Sequence, residues 1–319
     1  MPNLVTLILT NSLDITVDRL IRHIGPSKIF RFNMDLWEEY DVTVTCGDFQ
    51  ITNLAGGEVR KSQISKCLWR KPMSKYRIHW TRDIPQQTIY TETEIFYAMR
   101  EIKNLLWREG KLILIEPGAN LRIGKLVQLE VGRKFFIIPS YEFFSSPRTQ
   151  RQTGRERIVK SLSSERVTED KYLWTTRVKE DELDPNAPWM VQDRVEATHD
   201  VTVVFVRDKM FGFALDRRGF VDQTDDWREV GDSKSLEWET YPLTSGLEEA
   251  ITGFMTEIGL HYGRLDFLYD GTKYFFLEVN SNGEWDWLDP KGDVGLLNKM
   301  LEEIHPDSRL HSIPLCWHP

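Results

Sequence analysis

Arg264-Leu265-Asp266-Phe267-Leu268-Tyr269-Asp270-Gly271-Thr272-Lys273-Tyr274-Phe275-Phe276-Leu277-Glu278-Val279-Asn280-Ser281-Asn282-Gly283 is the stretch on which the fold turns. Two runs rich in aromatic and branched residues flank Asp270-Gly271, a favoured tight-turn pair, and predict a β-hairpin. Period-two alternation puts Leu265, Phe267 and Tyr269 on one face of the first strand and Asp266 and Leu268 on the other. It groups Phe276, Glu278 and Asn280 on one face of the second strand. Asp266 and Glu278 then meet on one side of the hairpin, with Asn280 one step along. Two carboxylates and an amide oxygen are hard oxygen ligands, the kind that hold magnesium beside nucleotide phosphates. The alternative for the acids is pairing with a nearby base such as Arg264.

Composition bounds the rest. A chain of 319 residues suits two or three domains, and 40% hydrophobic with 28% charged residues is ordinary for a globular protein. A net charge of -8 argues against a general nucleic-acid binder, whose affinity comes from neutralising phosphates. Cys46, Cys67 and Cys316 lie far apart with no metal or redox spacing, which points to free thiols in a reducing, cytoplasmic setting. No apolar run approaches membrane-spanning length, so no membrane partner is expected.

Ahead of the hairpin the chain alternates strand and helix signals. Asn3–Thr10 is a continuous apolar strand; Asp14 stands where a cap would, before a helix ended by Gly25-Pro26. Lys28–Phe32 and Cys67–Arg70 predict further strands, Val42–Thr45 and Phe49–Thr52 a small antiparallel pair, Thr93–Glu109 a helix and Lys111–Ile115 a strand. This alternation predicts a first α/β domain over residues 1–117. No glycine-rich phosphate loop follows its first strand, which argues against a dinucleotide role. Residues 121–132 predict a helix, Phe135–Ile138, Arg157–Lys160 and Tyr172–Val178 strands, and Val201–Val206 with Met210–Leu215 a hairpin turning at Asp208-Lys209. Leu243–Leu260 and Val294–Ile304 predict helices. Between 146 and 166 the chain turns basic, with Arg148, Arg151, Arg155, Arg157, Lys160 and Arg166 outnumbering Glu156 and Glu165; such a stretch attracts anions.

The pattern of Asp266, then Glu278-Val279-Asn280, then Gly283 resembles the magnesium-binding end of the ATP-grasp superfamily. The run Phe276–Trp285, ending Asn282-Gly283-Glu284-Trp285, and the Asp226-Trp227-Arg228 triplet resemble the ATP-grasp ligases that make graspetides, the microviridin-type peptides. Ser281 stands where relatives carry proline. The resemblance implies an α/β (α+β) ATP-grasp architecture: an N-terminal open α/β domain over 1–117, a small central α+β lid domain over 118–190, and a C-terminal ATP-grasp domain over 191–319. It also implies ATP and Mg2+ as cofactors, with Asp266, Glu278 and Asn280 as metal ligands. Lys125 matches a phosphate-binding lysine, with Gly124 where relatives have asparagine, and Lys160 matches the lysine of the central sheet. Relatives follow that lysine with glycines over the phosphates; Ser161–Arg166 contains none. Trp189–Glu196 looks like the interdomain hinge, offering backbone groups to adenine near Gln192 and Val195 and an acid, Glu196, to the ribose.

Many relatives place a phosphate-gripping arginine two residues after the acid at position 200. Here that residue is Thr202, with Arg194 as a candidate replacement, and Arg228 is the residue that resemblance assigns to the γ-phosphate or acyl phosphate. Glu180, Asp181, Glu182 and Asp184 match a short acidic element that grips basic residues of a leader peptide. They also read as a plain solvated face. Trp69-Arg70-Lys71-Pro72 resembles a family run to which no role attaches. The implied function is an ATP-dependent ligase joining side chains of a ribosomally made precursor peptide, its relatives commonly dimeric. Two alternatives stay open: a ligase for free amino acids or peptide termini, and a non-catalytic nucleotide- or peptide-binding protein.

Overall fold

The alternating strand and helix signals of the first third fold into a parallel sheet. In the computed structural model, the described residues are 3–72, 85–115, 118–145, 156–163, 175–179, 183–184, 186–219, 225–227 and 236–308. The chain divides into two compact units, Met1–Gly118 with Glu284–Pro319, and Ala119–Gly283.

In the first unit, β1 (Val5–Thr10) is followed by α1 (Ile15–Ile24) and β2 (Ile29–Asn33). Asp14 caps α1 as its position suggested, its carboxylate accepting from the Val17 N–H. β3 (Tyr40–Val44), β4 (Phe49–Asn53) and β5 (Glu58–Arg60) form an antiparallel sheet, and β6 (Ile64–Trp69) returns to pair with β1, giving the parallel order β2-β1-β6. α2 (Gln86–Arg108) is longer than its periodicity indicated and buries Met99, Ile102 and Leu106 in the core with Leu7, Leu9 and Phe32. Lys111–Ile115 is not a full strand. It makes a single parallel bridge, Cys67 to Leu112, because Leu114 takes a left-handed φ of 61° that ends extended pairing. The C-terminal helix (Leu296–Ile304) is tied to the sheet: Thr6 donates to the Ile304 carbonyl at 2.6 Å and Lys66 Nζ to that of Glu303 at 2.6 Å.

The Trp69–Pro72 run lies at the carboxyl end of this sheet. Arg70, 2% exposed, pairs with Asp14 at 3.0 Å and with Glu284; Lys71 pairs with Glu284 as well, and Thr16 donates to it at 2.9 Å. Asp14 accepts a further hydrogen bond from Thr10 at 2.6 Å. Burial alone would raise the Glu284 carboxyl, but Arg70 and Lys71 hold it below the usual carboxylate range.

In the second unit the expected helix over 121–132 is two. α3 (Ala119–Arg122) and α4 (Lys125–Gly132) are separated at Ile123-Gly124, where Gly124 has the extended backbone of an N-cap. The expected strand at Phe135–Ile138 is a turn with one bridge, Ile137 to Phe275. A four-stranded antiparallel sheet, β7-β10-β8-β9, is built from β7 (Tyr141–Phe144), β8 (Arg157–Lys160), β9 (Thr176–Val178) and β10 (Trp189–Asp193). β11 (His199–Val206) and β12 (Lys209–Asp216) turn at Arg207-Asp208, one residue earlier than the sequence suggested, with Arg207 at φ 58°. They join β13 (Glu239–Thr240), β14 (Tyr262–Tyr269) and β15 (Tyr274–Asn280) in a five-stranded antiparallel sheet, β13-β12-β11-β14-β15. α5 (Ser245–Glu257), capped by Thr244, packs Ile251, Phe254 and Met255 against Leu265, Phe267 and Phe276.

Candidate functional site

The β14–β15 hairpin is the expected one, with one correction. Asp270 Oδ1 accepts from the N–H groups of Thr272 and Lys273 at 2.7 and 2.8 Å, and Gly271 takes φ 101°, which only glycine adopts without strain. Asp266 sits opposite Glu278, but Phe267 sits opposite Phe276, so Leu277 is the extra residue of a β-bulge. Phe276 therefore does not share a face with Glu278 and Asn280, as strict alternation suggested. It turns into the core, fully buried and stacked on Phe136. Burying such a ring is worth about 1.5–3 kcal/mol. The bulge lets one strand bury Phe276 and still present Glu278 beside Asp266.

On the polar face the three expected ligands converge. Asn280 Nδ2 donates to Asp266 Oδ2 at 3.1 Å and to Glu278 Oε1 at 3.3 Å. Thr202, opposite Asp266 on β11, donates its hydroxyl to Asp266 Oδ1 at 2.7 Å. Arg264 lies along the same strand, Nε 3.3 Å from Asp266 Oδ1 and Nη2 3.2 Å from Oδ2. The two readings of Asp266, metal ligand or partner of Arg264, thus meet in one geometry. Asn280 would ligate a metal through Oδ1, which requires its amide to turn over.

Both expected lysines reach this face. Lys125, first residue of α4, places Nζ 3.4 Å from Glu278 Oε2 and 2.8 Å from the Ser161 carbonyl. Lys160 closes β8, and burial pushes its ammonium down to about 8, aided by Lys125 and opposed by Glu278, Asp226 and Asp266. Burial would raise the Glu278 carboxyl; Lys125 and Lys160 hold it below the usual range.

The remaining expected residues separate. Gln192 is 1% exposed on β10; its Nε2 donates to the Pro139 carbonyl at 3.4 Å and its buried Oε1 has no partner among the described residues. Val195 and Glu196 follow the end of β10, and the Glu196 side chain is 91% exposed, 3.7 Å from Arg194. Asp184 is exposed and accepts from the Asn186 N–H at 2.9 Å, a local turn contact. Glu180, Asp181, Glu182 and Arg228 lie outside the described residues, as does most of the basic stretch. Arg157, counted there as an anion attractor, is instead buried against Asp193 at 3.2 Å and Glu142 at 3.3 Å.

Sequence reasoning missed a second charged group beside the first. Asp225 is contacted by Arg177 at 2.5 Å and Arg194 at 3.2 Å, and its carbonyl accepts from Arg217 at 3.2 Å. Arg217 also pairs with Asp200 at 2.9 Å. Burial raises Asp200 to about 6, with Arg217 opposing and Asp226 and Asp266 adding to the rise. Arg194 is thus held by Asp225 and Glu156, and Arg217 is the arginine that reaches the acid of β11. The only sequence signal was that Asp225 abuts the Asp226-Trp227-Arg228 triplet.

Among the described residues no group of three His, Cys, Asp or Glu side chains could hold a metal. The donor set at Asp266, Glu278 and Asn280 nonetheless fits magnesium. That ion is commonly held by one or two carboxylates and completed by phosphate oxygens and water. Two lysines stand beside it, and the unpartnered Gln192 Oε1 is an acceptor suited to an exocyclic amine.

No family model matches the sequence, nor does any curated protein. Solved structures do match. The macrocyclase MdnC from Microcystis aeruginosa MRC, bound with precursor peptide MdnA, superposes with a TM-score of 0.75 at 21% identity, covering 94% of this chain and 98% of that one. A RiPP-associated ATP-grasp ligase from Chryseobacterium gregarium, in complex with ADP and a leader and core peptide, gives 0.79 at 20% identity over 97% and 100%. D-alanine–D-alanine ligase from Bacillus anthracis, complexed with ATP, gives 0.57 at 12% identity over 96% of each chain. The hairpin, the two antiparallel sheets of the second unit and the parallel sheet of the first are therefore those of an ATP-grasp fold.

Proposed function

We propose that the protein is an ATP-dependent ligase that closes ester or amide bonds between side chains of a ribosomally made precursor peptide. The observation that carries this reading is the convergence of Asp266, Glu278 and Asn280 with Lys125 and Lys160 on an ATP-grasp scaffold. Structural likeness to MdnC and the Chryseobacterium ligase, both solved with precursor peptides, supports the peptide acceptor over a free amino acid, since the D-alanine–D-alanine ligase superposes less well.

The chemistry follows from the parts. A carboxylate resists attack because oxide is a poor leaving group. Transfer of the γ-phosphoryl group of ATP to an Asp or Glu side-chain oxygen breaks the β–γ anhydride, releases ADP and leaves an acyl phosphate. A Ser or Thr hydroxyl or a Lys amine then attacks the acyl carbon, and inorganic phosphate departs with a proton released. Asp266, Glu278 and Asn280 would hold magnesium, which neutralises charge on the phosphate oxygens. Lys125 and Lys160 balance the charge that moves during transfer, and Arg228 is assigned the same task. Gln192 and Val195 receive the adenine and Glu196 the ribose hydroxyls. Glu180, Asp181, Glu182 and Asp184 are the proposed grip on basic leader residues. A homodimer working in the cytoplasm is part of this reading. Catalysis is mostly positioning and electrostatics.

The test is to incubate the protein with magnesium, ATP and a candidate precursor peptide, following ADP and the peptide's intact mass together. Loss of whole waters from the peptide, matched by ADP, is the expected result. ADP without a change in any acidic peptide would point to another acceptor, and no ADP under any condition would remove the ligase reading.

A further inference from the structure

Asp266 offers a metal no unoccupied oxygen. Its Oδ1 accepts from Thr202 at 2.7 Å and Arg264 Nε at 3.3 Å; its Oδ2 accepts from Arg264 Nη2 at 3.2 Å and Asn280 Nδ2 at 3.1 Å. Of these donors only the guanidinium carries charge, and it lies along one edge of the carboxylate with two N–H groups, where a cation would sit. Arg264 is fixed there. It pairs with Asn280 across the ladder, its side chain is 16% exposed, and Gly283 clears space for its stem, since a Cβ at 283 would come within 2.7 Å of the Arg264 Cβ.

We propose that Arg264 is a resident competitor for the divalent metal at Asp266, so that metal binding depends on the nucleotide. A bare divalent ion approaching Asp266 must displace a hydrogen-bonded guanidinium and then share the site with its positive charge. A nucleotide supplies phosphate oxygens to which the guanidinium can transfer, freeing Asp266 for the ion and converting the repulsion into a shared attraction to the triphosphate. Nucleotide and metal are then positively coupled, and by linkage each raises the other's affinity by the same factor. The inference rests on the metal assignment of the preceding subsection.

The test uses the full chain, Mn2+ as the probe read by its free-ion electron paramagnetic resonance signal, and a non-hydrolysable ATP analogue. Wild type is expected to bind Mn2+ weakly alone and at least about tenfold more tightly with the analogue. Arg264→Met is expected to bind Mn2+ alone at least about tenfold better than wild type and to lose most of the nucleotide enhancement. Arg264→Lys, which keeps the charge but not the two-pronged contact, should fall between. Equal Mn2+ affinity in wild type with and without the analogue overturns the proposal, and that measurement stands even if Arg264→Met fails to fold. So does a folded Arg264→Met that matches wild type in both states. Asp266→Asn separates the two readings: if it binds Mn2+ with the analogue as well as wild type does, the metal assignment itself is wrong.

Discussion

Two partly buried charge clusters sit at strand ends in this protein, and they are built to different specifications. In the first unit, Arg70, Lys71, Asp14 and Glu284 close on one another: Asp14 caps a helix and accepts from Thr10, and Glu284 accepts from Arg70, Lys71 and Thr16. Glu284 is pulled below the ordinary range by its bases, as Glu278 is in the second unit; what differs is the other groups. In the second unit, Lys160 falls to about 8 and Asp200 rises to about 6, because burial outweighs the neighbours that would keep each charged. Groups held half-compensated in a low-dielectric site await another charge. The first cluster is closed by its own partners, and the second is the one to which the proposed function assigns a ligand.

The largest effect that would break this contrast is on stability. Arg70→Ala leaves Asp14 buried without its base, while Glu284, partly exposed, keeps Lys71; the variant is expected to cost about 3 kcal/mol in denaturant unfolding. A loss below 1 kcal/mol would mean the cluster is not the closed network described. Where the variant remains folded, its affinity for the ATP analogue should stay within about twofold. Asp266→Asn is expected to do the reverse. ADP formation falls by more than about a hundredfold, while the melting temperature moves less than in Arg70→Ala, because asparagine keeps the shape and the hydrogen-bonding capacity of the side chain. Full turnover in Asp266→Asn would remove the hairpin from the chemistry.

A smaller effect follows from Lys160. Its folded pKa, about 8, lies below the ordinary lysine value of 10.5, so the charged form is penalised in the fold. The destabilisation is complete below pH 8 and is relieved as pH rises from there toward the unfolded value. Phosphate binding runs the other way, since it needs the ammonium. Affinity for the ATP analogue should therefore weaken by about tenfold between pH 7 and 9.5, and Lys160→Arg, charged throughout, should flatten the profile. A wild-type profile as flat as the variant's would show that Lys160 does not meet the phosphates.

The hairpin was legible because alternation and Asp270-Gly271 are local signals, and the placing of Asp266 beside Glu278 followed from them. The bulge was not, because Phe275, Phe276 and Leu277 are all apolar and any of them satisfies a core-facing position; which one is skipped is decided by packing against Phe136 and Phe267. The break between α3 and α4 falls at Gly124, and the end of pairing after Leu112 at Leu114, whose left-handed backbone has no sequence mark. Lys125 and Lys160 were placed by resemblance rather than by pattern. The Asp225 group joins Arg177, Arg194 and Arg217 from three separate elements, and only long-range register brings those together.

Glu196 gives the smallest effect and the finest test of the contrast, since it lies at the exposed margin of the open cluster. Its side chain is 91% in solvent and its nearest charged neighbour, Arg194, is 3.7 Å away and already engaged with Asp225. A carboxylate so placed contributes little to the fold, so Glu196→Ala should leave the melting temperature unchanged. Should it accept from ribose hydroxyls, the variant weakens ATP by about two- to tenfold, because the net worth of a solvent-accessible hydrogen bond to a charged group is small. The discriminating measurement compares ATP with 2′-deoxy-ATP in both proteins. Wild type should prefer ATP, and Glu196→Ala should lose most of that preference, since the same contact is removed once from the protein side and once from the ligand side. If the preference survives intact, the ribose is held elsewhere and Glu196 is only a solvated acid after β10. If it vanishes, the ligand-completed cluster extends from the hairpin acids to the end of the hinge strand.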